Sequence, residues 1–135
     1  MKSIRIVIAD DHTLIAEAWA FLLTQTAAYN VVKIYNNTQT LIDEIDEVLP
    51  QIVLLDVNIP PISGLDAIRF LLSKSPNINI IGISMHDEVS FAKRMLESGA
   101  KAYVTKNSHQ SEMFTAINEA LAGRTYVCEE IRKKL

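Results

Sequence analysis

The apolar residues of this chain fall into short blocks of two kinds. Ile4–Ala9, Gln51–Leu55, Ile78–Ile83 and Lys101–Thr105 are nearly continuous apolar or β-branched runs, each followed at once by a polar residue. Such runs predict strands buried on both faces, and Val31–Tyr35 reads as a further short strand. Between them the apolar positions recur at helical spacing. Leu14, Ile15, Ala18, Trp19 and Leu22 form one expected stripe, and Leu41, Ile42, Ile45 and Leu49 a second that Pro50 ends. Leu65, Ile68, Leu71 and Leu72 form a third, Ala92, Met95 and Leu96 a fourth, and Met113, Ile117, Ala120 and Leu121 a fifth. Asn36-Asn37-Thr38, Ser63 and Asn107-Ser108 are expected helix caps, Asp87-Glu88 an acidic first turn, and Gly99 and Gly123 helix ends.

Strand and helix thus alternate five times with short connections, which predicts a parallel sheet covered by helices on both faces. Residues 1–124 are read as one domain. Residues 125–135 are read as the start of a linker or a short C-terminal helix. A length of 135 residues, with 49% hydrophobic and 21% charged, suits one domain with a substantial core. A net charge of −3 argues against nucleic-acid binding by this segment itself. The one cysteine, Cys128, makes neither a disulfide framework nor a zinc cluster and fits a reducing, cytoplasmic setting. No apolar run approaches the length of about 18 residues that a membrane span needs, so no membrane partner is expected.

In a doubly wound sheet the strand C-termini share one rim, where ligands bind. The pattern delivers Asp10 and Asp11, Asp56, Ser84 and Lys106 to that rim. Clustered carboxylates repel, so either one keeps a proton or a cation is bound. An oxygen donor set favours a hard cation, Mg²⁺ first and Mn²⁺ next. Asp11, Asp56 and the backbone carbonyl of Asn58 are the candidate ligands, with Asp10 acting through water. A free carboxylate oxygen beside a metal, an ammonium and a hydroxyl suits phosphoryl transfer to Asp56. Lys106 and Ser84 would each take a phosphoryl oxygen. Asp10-Asp11-His12-Thr13 stands where a nucleotide-binding fold would carry glycines, so a nucleotide is not the expected ligand.

Asp10-Asp11, Leu54-Leu55-Asp56, Pro60 with Gly64, Ser84 and Lys106 resemble the signature of a response-regulator receiver domain over residues 3–123. Ala9-Asp10-Asp11-His12, Ser84-Met85-His86-Asp87 and residues 99–106 resemble its NarL-type (LuxR-like) branch. The resemblance implies a flavodoxin-like (CheY-like) five-stranded sheet of order 2-1-3-4-5. It implies phosphate transfer from a sensor histidine kinase to Asp56, with Tyr103 as the switch aromatic beside Ser84, and a homodimer on phosphorylation as one outcome. Regulators of that branch usually carry a C-terminal DNA-binding domain. The charged tail from Glu129 resembles the start of their linker, so the expectation is a receiver detached from a longer protein, with a free-standing receiver as the alternative. Asn58 and His86, each two residues past a site residue, are expected to tune phosphate lifetime. His12 is read as surface, with kinase contact as its alternative, and His109 as surface.

Three rival readings fit less well. A haloacid-dehalogenase-type phosphatase needs a second Asp two residues after the nucleophile, where this chain has Asn58, so no separate substrate turnover is expected. A flavin module would want a phosphate loop where two acids stand. A degenerate receiver would not keep all five rim residues. Asn107 follows Lys106 where receivers often have Pro, which leaves the isomer of that bond open.

Overall fold

The computed structural model describes residues 3–85 and 89–134. The chain alternates β1 (Ile4–Ala9), α1 (Thr13–Thr24), β2 (Tyr29–Tyr35), α2 (Thr38–Val48), β3 (Ile52–Asp56) and α3 (Gly64–Lys74). It continues with β4 (Asn79–Ser84), α4 (Val89–Glu97), β5 (Ala102–Thr105), α5 (Gln110–Leu121), β6 (Tyr126–Val127) and α6 (Glu129–Arg132). The strands form one parallel sheet in the order β2-β1-β3-β4-β5-β6. The expected five-strand order is present, with one short strand added at its end.

Central strands are sealed on both faces. Ile6 to Ala9 and Ile52 to Leu55 are fully buried, so consecutive residues pointing opposite ways are all covered by helices. The chain winds from β1 to β2 on one side and to β3 on the other. The switch point therefore lies between the carboxyl ends of β1 and β3, which carry Asp10 and Asp56.

Caps set several helix starts. The Asn37 side chain accepts the Thr40 N–H, and Ser63 accepts the Asp66 N–H. Gly99 and Gly123 adopt φ of 117° and 82°, past the ends of α4 and α5. The cap of α5 departs from expectation. His109, not Asn107-Ser108, is its N-cap and accepts the Ser111 N–H, while Ser108 Oγ accepts the Thr105 N–H. The expected acidic first turn of α4, Asp87-Glu88, lies outside the described residues.

Three expected faces need correction. In α1 the buried residues are Ala16, Trp19 and Leu23, and Leu14 is 83% exposed. Leu49 is no part of the α2 face. It caps that helix in a left-handed conformation, φ 53°, and is exposed. Leu121, at the last position of α5, is also exposed.

Residues after Gly123 fold back onto the sheet. Tyr126 and Val127 pair with Ala102 and Tyr103 of β5. Cys128 and Ile131 are fully buried in the main core, and Thr105 Oγ1 donates to Glu130 at 2.8 Å. The linker-like tail is therefore ordered here as a strand and one helical turn that cover the β5 edge, which would otherwise offer unpaired backbone groups.

Candidate functional site at the carboxyl rim of the sheet

Asp56 is the last residue of β3, held by a strand whose every residue is buried. The loop leading from it into α3 is pinned. The Val57 N–H donates to the Ile83 carbonyl at 3.0 Å, and the Gly64 N–H donates to the Val57 carbonyl at 2.8 Å. A Cβ on Gly64 would sit 2.1 Å from the Asp56 carbonyl oxygen, so only glycine lets α3 begin this close to the strand end. Thr38, fully buried, ties the same loop to α2. Its N–H donates to the Pro60 carbonyl, and its hydroxyl donates to the Ile62 carbonyl while accepting the Ile62 N–H. The Pro60–Pro61 bond is cis, and the Lys106–Asn107 bond is trans.

Asp10 emerges from β1 with its N–H bonded to the Tyr35 carbonyl, and Lys106 emerges from β5 with its N–H bonded to the Ser84 carbonyl. Their side chains meet. Lys106 Nζ lies 3.0 Å from Asp10 Oδ2, 3.2 Å from Asp10 Oδ1 and 3.5 Å from Asp56 Oδ2. All three side chains are almost wholly buried. Asp56 Oδ1 accepts a long 3.3 Å bond from the Asn58 N–H, and Asn58 itself is exposed. Asp11 is 40% exposed, and its carboxylate joins the same group. Ser84, at the end of β4, is fully buried opposite Thr105. Tyr103 is fully buried, three residues before Lys106, and its ring packs against Gly82. His86 lies outside the described residues.

His12 has a larger part than the sequence suggests. Its Nδ1 lies 2.7 Å from Lys106 Nζ and 3.0 Å from Asp10 Oδ1. Asp11 Oδ1 at 3.6 Å and Asp56 Oδ2 at 3.7 Å are also near. Its position directly after two rim acids was the available signal, but a residue just before a helix can point either way.

The electrostatics follow from burial. Desolvation pushes the Asp56 carboxyl up from 3.8 to about 6; Lys106 opposes the rise and Asp10 adds to it. At neutral pH three carboxylates thus face one ammonium, an imbalance that a dication would correct. Asp10 Oδ2 faces the Lys106 ammonium at 3.0 Å and has no other partner among the described residues. The donor set of Asp10, Asp11, His12 and Asp56 lies within 4.8 Å of one another, which fits a divalent ion.

A doubly wound parallel sheet whose switch point carries an acidic cluster with a buried lysine defines a receiver-type signalling module. The family model for the response regulator receiver domain matches residues 6–118, and the chain belongs to that family, the receivers of two-component systems. It is 33% identical over 132 residues to the response regulator GacA of Pseudomonas viridiflava, covering 98% of this chain and 62% of that protein. The oxygen regulatory protein NreC of Staphylococcus epidermidis is 32% identical over 91% of this chain and 57% of its own length. The chain thus spans about three fifths of these relatives. Among solved structures, a LuxR-family two-component response regulator from Aurantimonas superposes with a TM-score of 0.92 at 30% identity, covering 98% of this chain and 94% of that one. The receiver of the NarL regulator of Mycobacterium tuberculosis gives 0.85 at 27%, covering 92% and 100%. No helix among the described residues is long and apolar enough to cross a membrane.

Proposed function

We propose that Asp56 accepts a phosphoryl group from the phosphohistidine of a sensor histidine kinase and that the resulting change of surface controls transcription. The observation that carries this is the Asp56 carboxylate, fixed by β3, with the Lys106 ammonium 3.5 Å away and two further acids beside it. An Asp56 oxygen attacks phosphorus as the P–N bond breaks, and the departing imidazole keeps the nitrogen electron pair and takes a proton. Lys106 draws one phosphoryl oxygen and the Ser84 hydroxyl another, so charge spread over the transferring group meets preset donors. Asp11, Asp56 and the Asn58 carbonyl would hold Mg²⁺ or Mn²⁺, with Asp10 acting through water. The ion, when bound, neutralises phosphoryl charge as a Lewis acid.

Burial of Lys106 and Asp56 keeps bulk water from the phosphorus, and Asn58, with His86, tunes the water that does arrive. Asn58 cannot relay protons as the Asp of a phosphatase would, so the protein is no turnover enzyme. Tyr103 is the two-state element. Movement of Ser84 toward the phosphate biases its packing and with it the surface of α4, β5 and α5, where a second copy would bind. A working place in the cytoplasm fits the buried thiol Cys128.

Transcription as the output follows from relatives such as the transcriptional regulatory protein DegU of Brevibacillus brevis. RcsB of Salmonella, whose receiver shares this fold, has been solved bound to promoter DNA. DNA contact would belong to a further domain, since this segment is acidic. The test is intact-mass measurement after acetyl phosphate and Mg²⁺. One phosphate, labile to hydroxylamine, is expected on the native chain and none on Asp56→Ala. An unmodified native chain, or equal modification of both, overturns the assignment.

A further inference from the structure

His12 stands among the rim groups, and the receiver signature gives it no task. It is tethered at close range, because its own N–H donates to Asp10 Oδ1 at 2.8 Å. Its Nδ1 lies 2.7 Å from Lys106 Nζ. Nδ1 also lies 3.0 Å from Asp10 Oδ1, so this one ring nitrogen faces both the ammonium and a carboxylate. The ring therefore aims Nδ1 into the acidic cluster. The ammonium marks a cation position surrounded by Nδ1 of His12 and the carboxylates of Asp10 and Asp56. Beside it, Asp10 Oδ2 is buried, with the ammonium at 3.0 Å as its one partner among the described residues. Donor atoms of Asp10, Asp11, His12 and Asp56 fall within 4.8 Å of one another. A six-coordinate ion with bonds of about 2.1 Å places opposite donors about 4.2 Å apart, so small side-chain turns close the set.

We propose that His12 is a metal ligand that decides which ion the rim takes, binding Mn²⁺ and above all Ni²⁺ and Zn²⁺ more tightly relative to Mg²⁺ than an all-oxygen rim would. This rests on the reading of the rim as a divalent-cation site. Carboxylates, carbonyls and water suit Mg²⁺, whereas imidazole suits the later first-row metals. Exchanging a water for the His12 nitrogen thus gains little for Mg²⁺ and much for Ni²⁺ or Zn²⁺. The ring is half exposed, with its side chain 52% accessible, so it can turn onto an ion without disturbing the core. Occupancy of the receiver would then follow the supply of transition metal as well as of magnesium. The competing role, an acceptor that merely steadies Lys106, predicts no such selectivity.

The experiment is calorimetric titration of the full chain with Mg²⁺, Mn²⁺, Ni²⁺ and Zn²⁺, using native protein, His12→Ala and Asp11→Asn, with urea melts to establish that each is folded. His12→Ala is expected to lower Ni²⁺ and Zn²⁺ affinity at least about tenfold, with Mg²⁺ affinity held within about threefold. Asp11→Asn should weaken every ion. Cu²⁺ bound to native protein should show nitrogen superhyperfine splitting in its electron paramagnetic resonance spectrum, lost in His12→Ala. Equal losses for all ions in His12→Ala, or none, overturn the role of His12 while leaving the metal site standing. Ni²⁺ binding indifferent to Asp11→Asn also overturns it, by placing that ion elsewhere. Absence of Mg²⁺ binding to the native chain overturns the metal-site reading itself.

Discussion

Replacing Asp56 with Asn should make the metal-free protein more stable at neutral pH, although it removes a buried charged partner of Lys106. Burial is the main reason the Asp56 carboxyl is pushed up to about 6, with Asp10 adding to the rise and Lys106 and the Asn58 N–H opposing it. The unfolded chain loses this proton near 3.8. Between those values the folded protein keeps a proton that the unfolded one has lost, so stability falls as pH rises through the window. At about 1.36 kcal/mol per pH unit, the ionised carboxylate costs up to about 3 kcal/mol at pH 7.5 and about 1 kcal/mol at pH 4.5. Asparagine keeps the shape and never ionises, and Asp10 remains to hold the ammonium at 3.0 Å. In EDTA, Asp56→Asn should therefore gain up to about 3 kcal/mol at pH 7.5, a rise in Tm of roughly 10 °C, shrinking to about a third at pH 4.5. Urea unfolding of both proteins at both pH values measures it. A loss of stability at pH 7.5, or the same gain at both pH values, would refute the idea that desolvation dominates the site.

Three further substitutions probe the frame around Asp56. Lys106→Met keeps the stem and removes the charge; leaving Asp10 and Asp56 buried without an ammonium should cost about 3–5 kcal/mol at pH 7.5 in EDTA, and a loss below 1 kcal/mol by urea melt would show the pair to be already solvated. Thr38→Val leaves the Ile62 N–H and carbonyl without their buried partner, an expected cost of about 1–3 kcal/mol; amide exchange should quicken over residues 58–63, and unchanged exchange there would count against the tether. Ile131→Ala opens a cavity where the tail meets the core and should cost about 2–5 kcal/mol. A neutral result for Ile131→Ala would mean that β6 and α6 leave the β5 edge in solution.

The central strands were legible because sealing on both faces leaves a continuous apolar run, and because each run stops at a polar residue on the same rim. That regularity assigns Asp10, Asp56, Ser84 and Lys106 to one rim, and the structure brings Asp10, Asp56 and Lys106 into direct contact. The face of α1 was illegible for the opposite reason. Thr13–Thr24 is apolar around nearly its whole circumference, with Glu17 the one charged residue, so a period of 3.6 selects no side. Leu14 and Phe21 end up exposed while Ala16, a small residue with little weight in any pattern, is fully buried. Leu49 looked like the next rung of α2, but the helix ends at Val48 and the following residue turns left-handed, which swings its side chain outward.

The added strand and the placement of His12 escape a reading of the sequence for one cause, dependence on partners far away in the chain. Tyr126 and Val127 make a strand of two residues, too short for any alternation, and only the open edge of β5 gives them a ladder to join. Once paired, they bring Glu130 onto the Thr105 hydroxyl, next to Lys106 in sequence. His12 is likewise defined by a residue 94 positions away, the ammonium at the end of β5. A histidine after two aspartates says only that it is near the rim. Its chemical meaning comes from the groups its Nδ1 meets, the Lys106 ammonium on one side and the Asp10 carboxylate on the other.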